Sequence, residues 1–218
     1  SSGDTLWTKK ASGIHNPVIL LEGEEGIEIV YAQSYGGINF LDKEGKEKRV
    51  IRSPIGNFAT PLLLPNGYIF QGTTWWEGNR NRLLAFKTKG EGAWKYSDAR
   101  QYEKLQGEGR ILEQPSHKIS STGIAADLLP DHEGTEVAIA SEAGDFYLLS
   151  ETGEMLSHTF LPQGVECPLF VGDIDQDGKL EILIASLDGY LYCYETNSTG
   201  KVVSGQFMGN NQNTGLGE

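Results

Sequence analysis

Short apolar runs recur along this chain, each closed by a polar or glycine-built turn. After a lone apolar stretch at Thr5-Leu-Trp-Thr8, the pattern begins with Asn16 to Leu21, an acidic turn at Glu22-Gly-Glu-Glu-Gly26, and Ile27 to Ala32. It continues through Tyr35-Gly-Gly37, Ile38 to Asp42, the turn Lys43-Glu-Gly-Lys46, and Lys48 to Arg52. Runs this short, β-branched and bounded by Gly, Asn and Asp, predict strands rather than helices. The sequence beats the same way three more times. The second unit is Ala59 to Leu64, Tyr68 to Thr73, Arg82 to Thr88 and Ala93 to Tyr96, and the third is Gly123 to Leu128, Thr135 to Ser141, Asp145 to Ser150 and Met155 to Phe160. The fourth is Glu166 to Val171, Leu180 to Ala185, Tyr190 to Tyr194 and Lys201 to Phe207.

The units also share spelling. Ile27-Glu-Ile-Val-Tyr-Ala32, Thr135-Glu-Val-Ala-Ile-Ala140 and Leu180-Glu-Ile-Leu-Ile-Ala185 each carry a glutamate second and an alanine last. The strands Ile38 to Leu41, Leu83 to Phe86, Phe146 to Leu149 and Leu191 to Tyr194 follow, each before a turn on glycine. Four four-stranded antiparallel units at a period of roughly 45 to 50 residues predict an all-β, propeller-like domain. It closes as a ring of four or forms part of a larger ring. One such sheet has two apolar faces, so neighbouring units must stack to bury them. The expected repeats are 13–53, 54–118, 119–163 and 164–207 in a single domain over 1–218, with a tail at 208–218. Within the second, 97–118 reads as a polar insertion with a short helical turn at Arg100 to Leu105. Leu6-Trp7 reads as an outer strand, which either pairs with the last unit or belongs to a further one.

Composition narrows the partners. The net charge of −12 argues against nucleic acid, whose phosphates need clustered Lys and Arg. No apolar run approaches a membrane span. The start at Ser1-Ser-Gly3 shows no signal-peptide pattern and reads as a processed start or an expression scar. The 28 glycines suit many tight turns. Cys167 and Cys193 are expected on two strands of one sheet with a third between them, as buried thiols too far apart to bridge.

One loop carries candidate chemistry. Asp173, Asp175 and Asp177 alternate, Gly178 allows a sharp turn, and Glu181 opens the next strand. Ca²⁺ takes six to eight oxygens, and carboxylates at every second position of a short loop can wrap it. The expected ligands are Asp173, Asp175, Asp177, the carbonyl of Lys179, and Glu181. Glu181 comes too early for the closing residue of an EF-hand and the flanks are β-like, so this is no EF-hand. The alternative is an ion-free acidic turn, with Glu181 bonding a neighbouring strand.

Asp173, Asp175, Asp177 and Gly178 resemble the calcium loop of the FG-GAP/VCBS propeller repeats of extracellular proteins, residue for residue. The third unit departs from it: Asp127 and Asp131 remain, Leu129 interrupts, and Gly134 is displaced. The resemblance therefore implies one calcium site. Leu84-Ala-Phe-Lys-Thr-Lys-Gly90 and Leu191-Tyr-Cys-Tyr-Glu-Thr196 also resemble PQQ-type propeller repeats of quinoprotein dehydrogenases and their non-catalytic scaffold relatives. The tail Gln206 to Gly215 resembles the segment that ends such repeats in secreted bacterial proteins. Together these imply an extracellular or periplasmic module.

Function is less legible than fold. Trp75 and Trp76 occupy an enlarged loop with Arg80 and Arg82 nearby, and form either a patch for glycan or protein or a small core under the loop. Trp7 and Trp94 are expected in packing. His15, His117, His132 and His158 lack metal-ligand spacing and are expected at surfaces or strand ends. No nucleophile elbow or phosphate loop is present. These features favour a non-catalytic binding or scaffold module over the alternative, part of an extracellular polysaccharide lyase or quinoprotein-like enzyme working through a central funnel.

Overall fold

The computed structural model describes residues 3–23, 26–34, 37–51, 59–73, 82–87, 92–97 and 118–206. The first sheet is an antiparallel meander of β1 (Ile19–Gly23), β2 (Gly26–Gln33), β3 (Gly37–Leu41) and β4 (Glu47–Ile51). The second is β5 (Leu62–Leu63), β6 (Tyr68–Gly72), β7 (Arg82–Lys87) and β8 (Gly92–Ser97). The third is built on β9 (Ile124–Ala126), β10 (Glu136–Ala140), β11 (Asp145–Ser150) and β12 (Met155–Phe160). The fourth contains β13 (Phe170–Gly172), β14 (Glu181–Ala185) and β15 (Leu191–Glu195).

Alternation along each strand explains how the sheets stack. In β10 and β11, Val137, Ile139, Tyr147 and Leu149 face the second sheet and pack with Leu62, Leu64, Phe70, Leu83 and Ala85. The residues between them, Ala138, Ala140, Phe146 and Leu148, pack with Leu180, Ile182, Ile184 and Tyr192 of the fourth sheet. On the far side, Ile69 joins Val30, Ala32, Ile38 and Phe40 of the first. Each fully buried large side chain contributes about 1.5–3 kcal/mol, so sheet-to-sheet packing is the main source of cohesion.

Sheets three and four depart from the expected four-stranded plan. The last strand, β16 (Val202–Ser204), pairs with β9 and gives a five-stranded third sheet in the order β12-β11-β10-β9-β16. The chain is steered there after β15. Thr196 N donates to Leu180 O, Leu180 N donates to Ser198 O, and the Ser198 hydroxyl then reaches Asp127 O at 2.7 Å. Asp127 N donates to Lys201 O, and the strand is committed to β9.

The N-terminal segment also differs from expectation. Thr5 to Thr8 forms no strand and pairs with no sheet. Trp7 lies on the β3–β4 turn instead, donating from Nε1 to Lys43 O at 2.9 Å. Gly45 has φ 78° there, and a Cβ on it would strike the Trp7 ring. Gly13 O accepts from both the amide and the hydroxyl of Ser34, fastening the segment to the first sheet.

Cys167 and Cys193 are free, as expected, but both are exposed rather than buried. Cys167 precedes β13 instead of lying on a strand. Trp75, Trp76, Arg80, His117, the Arg100 to Leu105 turn and the tail lie outside the described residues, as does most of 97–118.

One ion cluster stabilises the first sheet. Glu28, almost fully buried, receives a two-pronged hydrogen bond from Arg49 at 2.9 and 2.8 Å and an ammonium from Lys48 at 2.8 Å. Arg49 also lies 3.8 Å over the Phe40 ring. Burial pushes the Glu28 carboxyl up, and the bonds from Arg49 and Lys48 outweigh it and hold it below the ordinary value. The cluster therefore stabilises the fold above the unfolded glutamate pKa, and that contribution is lost as pH falls through the lower folded value. Arg49→Ala is expected to cost about 1–3 kcal/mol, since a buried charged acceptor loses its main partner. Chemical denaturation should show the loss near neutral pH and a smaller gap between variant and parent in acid.

Candidate metal centre

The loop between β13 and β14 is held open by its own backbone. Gln176 and Gly178 have φ of 65° and 89°. These left-handed residues turn successive amides inward. Gly178 N donates to Asp173 Oδ2 at 3.1 Å, Asp177 N to Asp175 Oδ1 at 3.2 Å, and Lys179 N to Asp177 Oδ1 at 2.8 Å. The three exposed aspartates thereby converge, each bringing a carboxylate oxygen within 4.8 Å of the others.

The other two expected ligands sit differently. Glu181 is not in that group of three. It is buried at the start of β14, where Oε2 accepts from Ile174 N at 2.7 Å and anchors the loop. Its other oxygen, Oε1, is buried without a hydrogen-bond partner. The Lys179 ammonium contacts Glu195 at 2.9 Å and Asp177 at 3.4 Å. The hydrogen bond to Glu195 raises the Lys179 pKa, with Asp177 adding to it, so the group stays charged.

The corresponding loop of the third sheet shows what Glu181 lacks. Glu136 is also buried at a strand start, and its Oε2 accepts from Leu128 N at 2.6 Å and Leu129 N at 3.1 Å. Its Oε1 is met by His132 Nδ1 at 2.6 Å. The equivalent glutamate oxygen thus has a histidine partner in the third sheet and none in the fourth. The sequence showed both glutamates as one repeat position. The role of His132 was missed because only the fold brings it back against Glu136.

His158 corrects a second expectation. Its ring is buried rather than at the surface, stacked on Tyr147 at 4.7 Å and edge-on to Phe160 at 4.6 Å. Nε2 lies 3.1 Å from Asp145 Oδ1, while Ser141 Oγ donates to Asp145 Oδ2. The serine bonds the aspartate, not the imidazole, so these bonds make a structural clamp rather than a base-activated nucleophile.

Comparison with known proteins fits this geometry. No protein-family model matches the chain, and no curated protein matches it. Solved structures do. BamB from Moraxella catarrhalis is 16% identical, with a TM-score of 0.56, over 88% of this chain and 49% of that one. The fold is that of a β-propeller. Quinohemoprotein alcohol dehydrogenase from Comamonas testosteroni is 16% identical, with a TM-score of 0.59, over 81% of this chain and 33% of that one. BBS1N, solved in complex with ARL6DN, is 10% identical, with a TM-score of 0.56, over 86% of this chain and 53% of that one. This chain therefore spans about half or less of each, and its sheets are propeller blades. The likeness supports the propeller and PQQ-like side of the resemblance. The FG-GAP/VCBS side rests on the loop alone. Among the described residues no helix is long and apolar enough to cross a membrane.

Glu136→Ala should cost about 1–3 kcal/mol, because the Leu128 and Leu129 amides lose their acceptor. Urea unfolding midpoints would show it. A midpoint within error of the parent would mean the loop closes without the carboxylate.

Proposed function

We propose that this chain is a non-catalytic propeller module that binds or scaffolds a protein or carbohydrate, and that its fourth blade carries one structural Ca²⁺. The observation that carries the calcium reading is the convergence of Asp173, Asp175 and Asp177 within 4.8 Å. Lys179 supplies one positive charge against these three carboxylates. The set is oxygen-only and exposed, which suits a hard cation that keeps water ligands. The Lys179 carbonyl completes the proposed shell. The orphaned Glu181 oxygen supports a cation nearby, although Glu181 itself acts first as the anchor of Ile174.

Extracellular or periplasmic residence belongs to the same reading, because a weak site of this kind fills where calcium is millimolar. The binding role draws support from the fold's use elsewhere: BBS1N was solved with a protein on it. Trp75, Trp76 and Arg80 stay the proposed contact patch. Among the described residues, the shifted ionisable groups Glu28, Lys179, Asp188 and Tyr192 each answer to a partner in or beside their own sheet.

Thermal melts after chelation test the calcium. For a dissociation constant of about 10⁻⁴–10⁻³ M, about 2 mM Ca²⁺ stabilises the fold by about 0.7–1.8 kcal/mol. That raises the melting temperature by about 2–7 °C for a chain of this size. Asp175→Asn should remove most of the rise and leave the chelated melt unchanged. Equal loss with and without calcium would show that the aspartates serve the turn alone.

A further inference from the structure

Each aspartate of the 173–177 loop gives one oxygen to a loop amide: Asp173 Oδ2 to Gly178, Asp175 Oδ1 to Asp177, and Asp177 Oδ1 to Lys179. Asp177 then differs from the other two. Its Oδ2 lies 3.4 Å from the Lys179 ammonium, so one residue engages both of its oxygens. Among the described residues, that ammonium is the one cation paired with the loop.

The same ammonium has a nearer partner outside the loop. Glu195 Oε1, at the end of β15, accepts from it at 2.9 Å. Strand register fixes where Glu195 stands, directly across from Glu181. Glu181 takes the amide of Ile174, between Asp173 and Asp175, so its carboxyl lies against the loop with one buried oxygen unpartnered. Lys179 is thus shared between a loop carboxylate and a strand carboxylate, and the strand holds it more closely.

A divalent cation among the three aspartates draws on Asp177 Oδ2 and is repelled by an ammonium beside it. The Lys179 backbone stays, because its amide bonds Asp177. Its side chain is a point charge on a flexible four-carbon stem and can turn from one carboxylate to the other.

We propose that Lys179 is an internal counter-ion that competes with Ca²⁺ for Asp177, and that Glu195 is a positioning residue that sets the affinity of the site by drawing the ammonium away. This inference rests on the calcium reading above and concerns how tightly the site fills. With the aspartates empty, the ammonium bridges Asp177 and Glu195. With the ion bound, it pairs with Glu195 alone. The two residues therefore act on calcium with opposite signs.

Calorimetric titration of the chelator-stripped full chain with CaCl₂ tests it. Exposed ion pairs are weak, and a divalent ion feels about twice the Coulomb energy of a monovalent one. Lys179→Met keeps the loop backbone and should tighten calcium binding about three- to tenfold. Lys179→Gln should do the same, so that a folding defect in one variant does not decide the result. Glu195→Gln should weaken binding by about three- to tenfold in the parent. In the Lys179→Met background it should change affinity by less than about twofold, because no ammonium is left to release. Equal weakening in both backgrounds would show that Glu195 acts only as a nearby negative charge, and would overturn the proposal. So would Lys179 variants that bind calcium no tighter than the parent. A parent chain that takes up no calcium would overturn the calcium reading itself, and this inference with it.

Discussion

A sheet that is apolar on both faces must be covered on both, and this requirement orders the whole molecule. β10 states it most plainly. Val137 and Ile139 point one way, Ala138 and Ala140 the other, and all four are buried. No surface strand could carry that composition. The third blade therefore stands between the second and the fourth, and order in the sequence becomes order in space. Loops at the strand ends are left outside the stack, which is where the aspartates of 173–177 lie exposed.

The same stacking buries a carboxylate at the start of the second strand in three blades. Burying an unpaired charge is costly, so each needs an answer. Glu28 is answered by Arg49 and Lys48, and Glu136 by two amides and His132. Glu181 has one amide. The geometry is inherited from the repeat, while the partners are set by each loop. Where the third blade places a histidine, the fourth places three carboxylates. The second oxygen of Glu136 is met by His132 Nδ1, and that of Glu181 is buried without a hydrogen-bond partner.

This division also marks what was legible in the sequence. Strand positions and the four-unit beat depend on alternation and turn residues, which are local, and nearly every expected strand formed within a few residues of its predicted limits. The glutamate position was visible as a repeated letter. The contact of His158 with Asp145 and Tyr147 was not, because it depends on the register across β11 and β12. The destination of Val202 to Ser204 was not either. A short apolar strand suits the edge of either blade, and the choice was made by Ser198 and Asp127 through side-chain and backbone bonds with no periodic signature. Trp7 was misread for a related reason. An aromatic residue beside threonines resembles a strand, but its place was fixed by the open surface over Gly45.

The route of β16 joins two properties of the fourth blade that otherwise look unrelated. By pairing with β9, the strand stitches the third blade to the fourth, and just beyond it Gly205 O accepts from Val171 N of β13 at 2.6 Å. The joint between these blades thus has backbone bonds in addition to its apolar core. The same strand cannot also cover β15. Among the described residues no strand covers that edge, and β15 carries one charge, Glu195, and no proline.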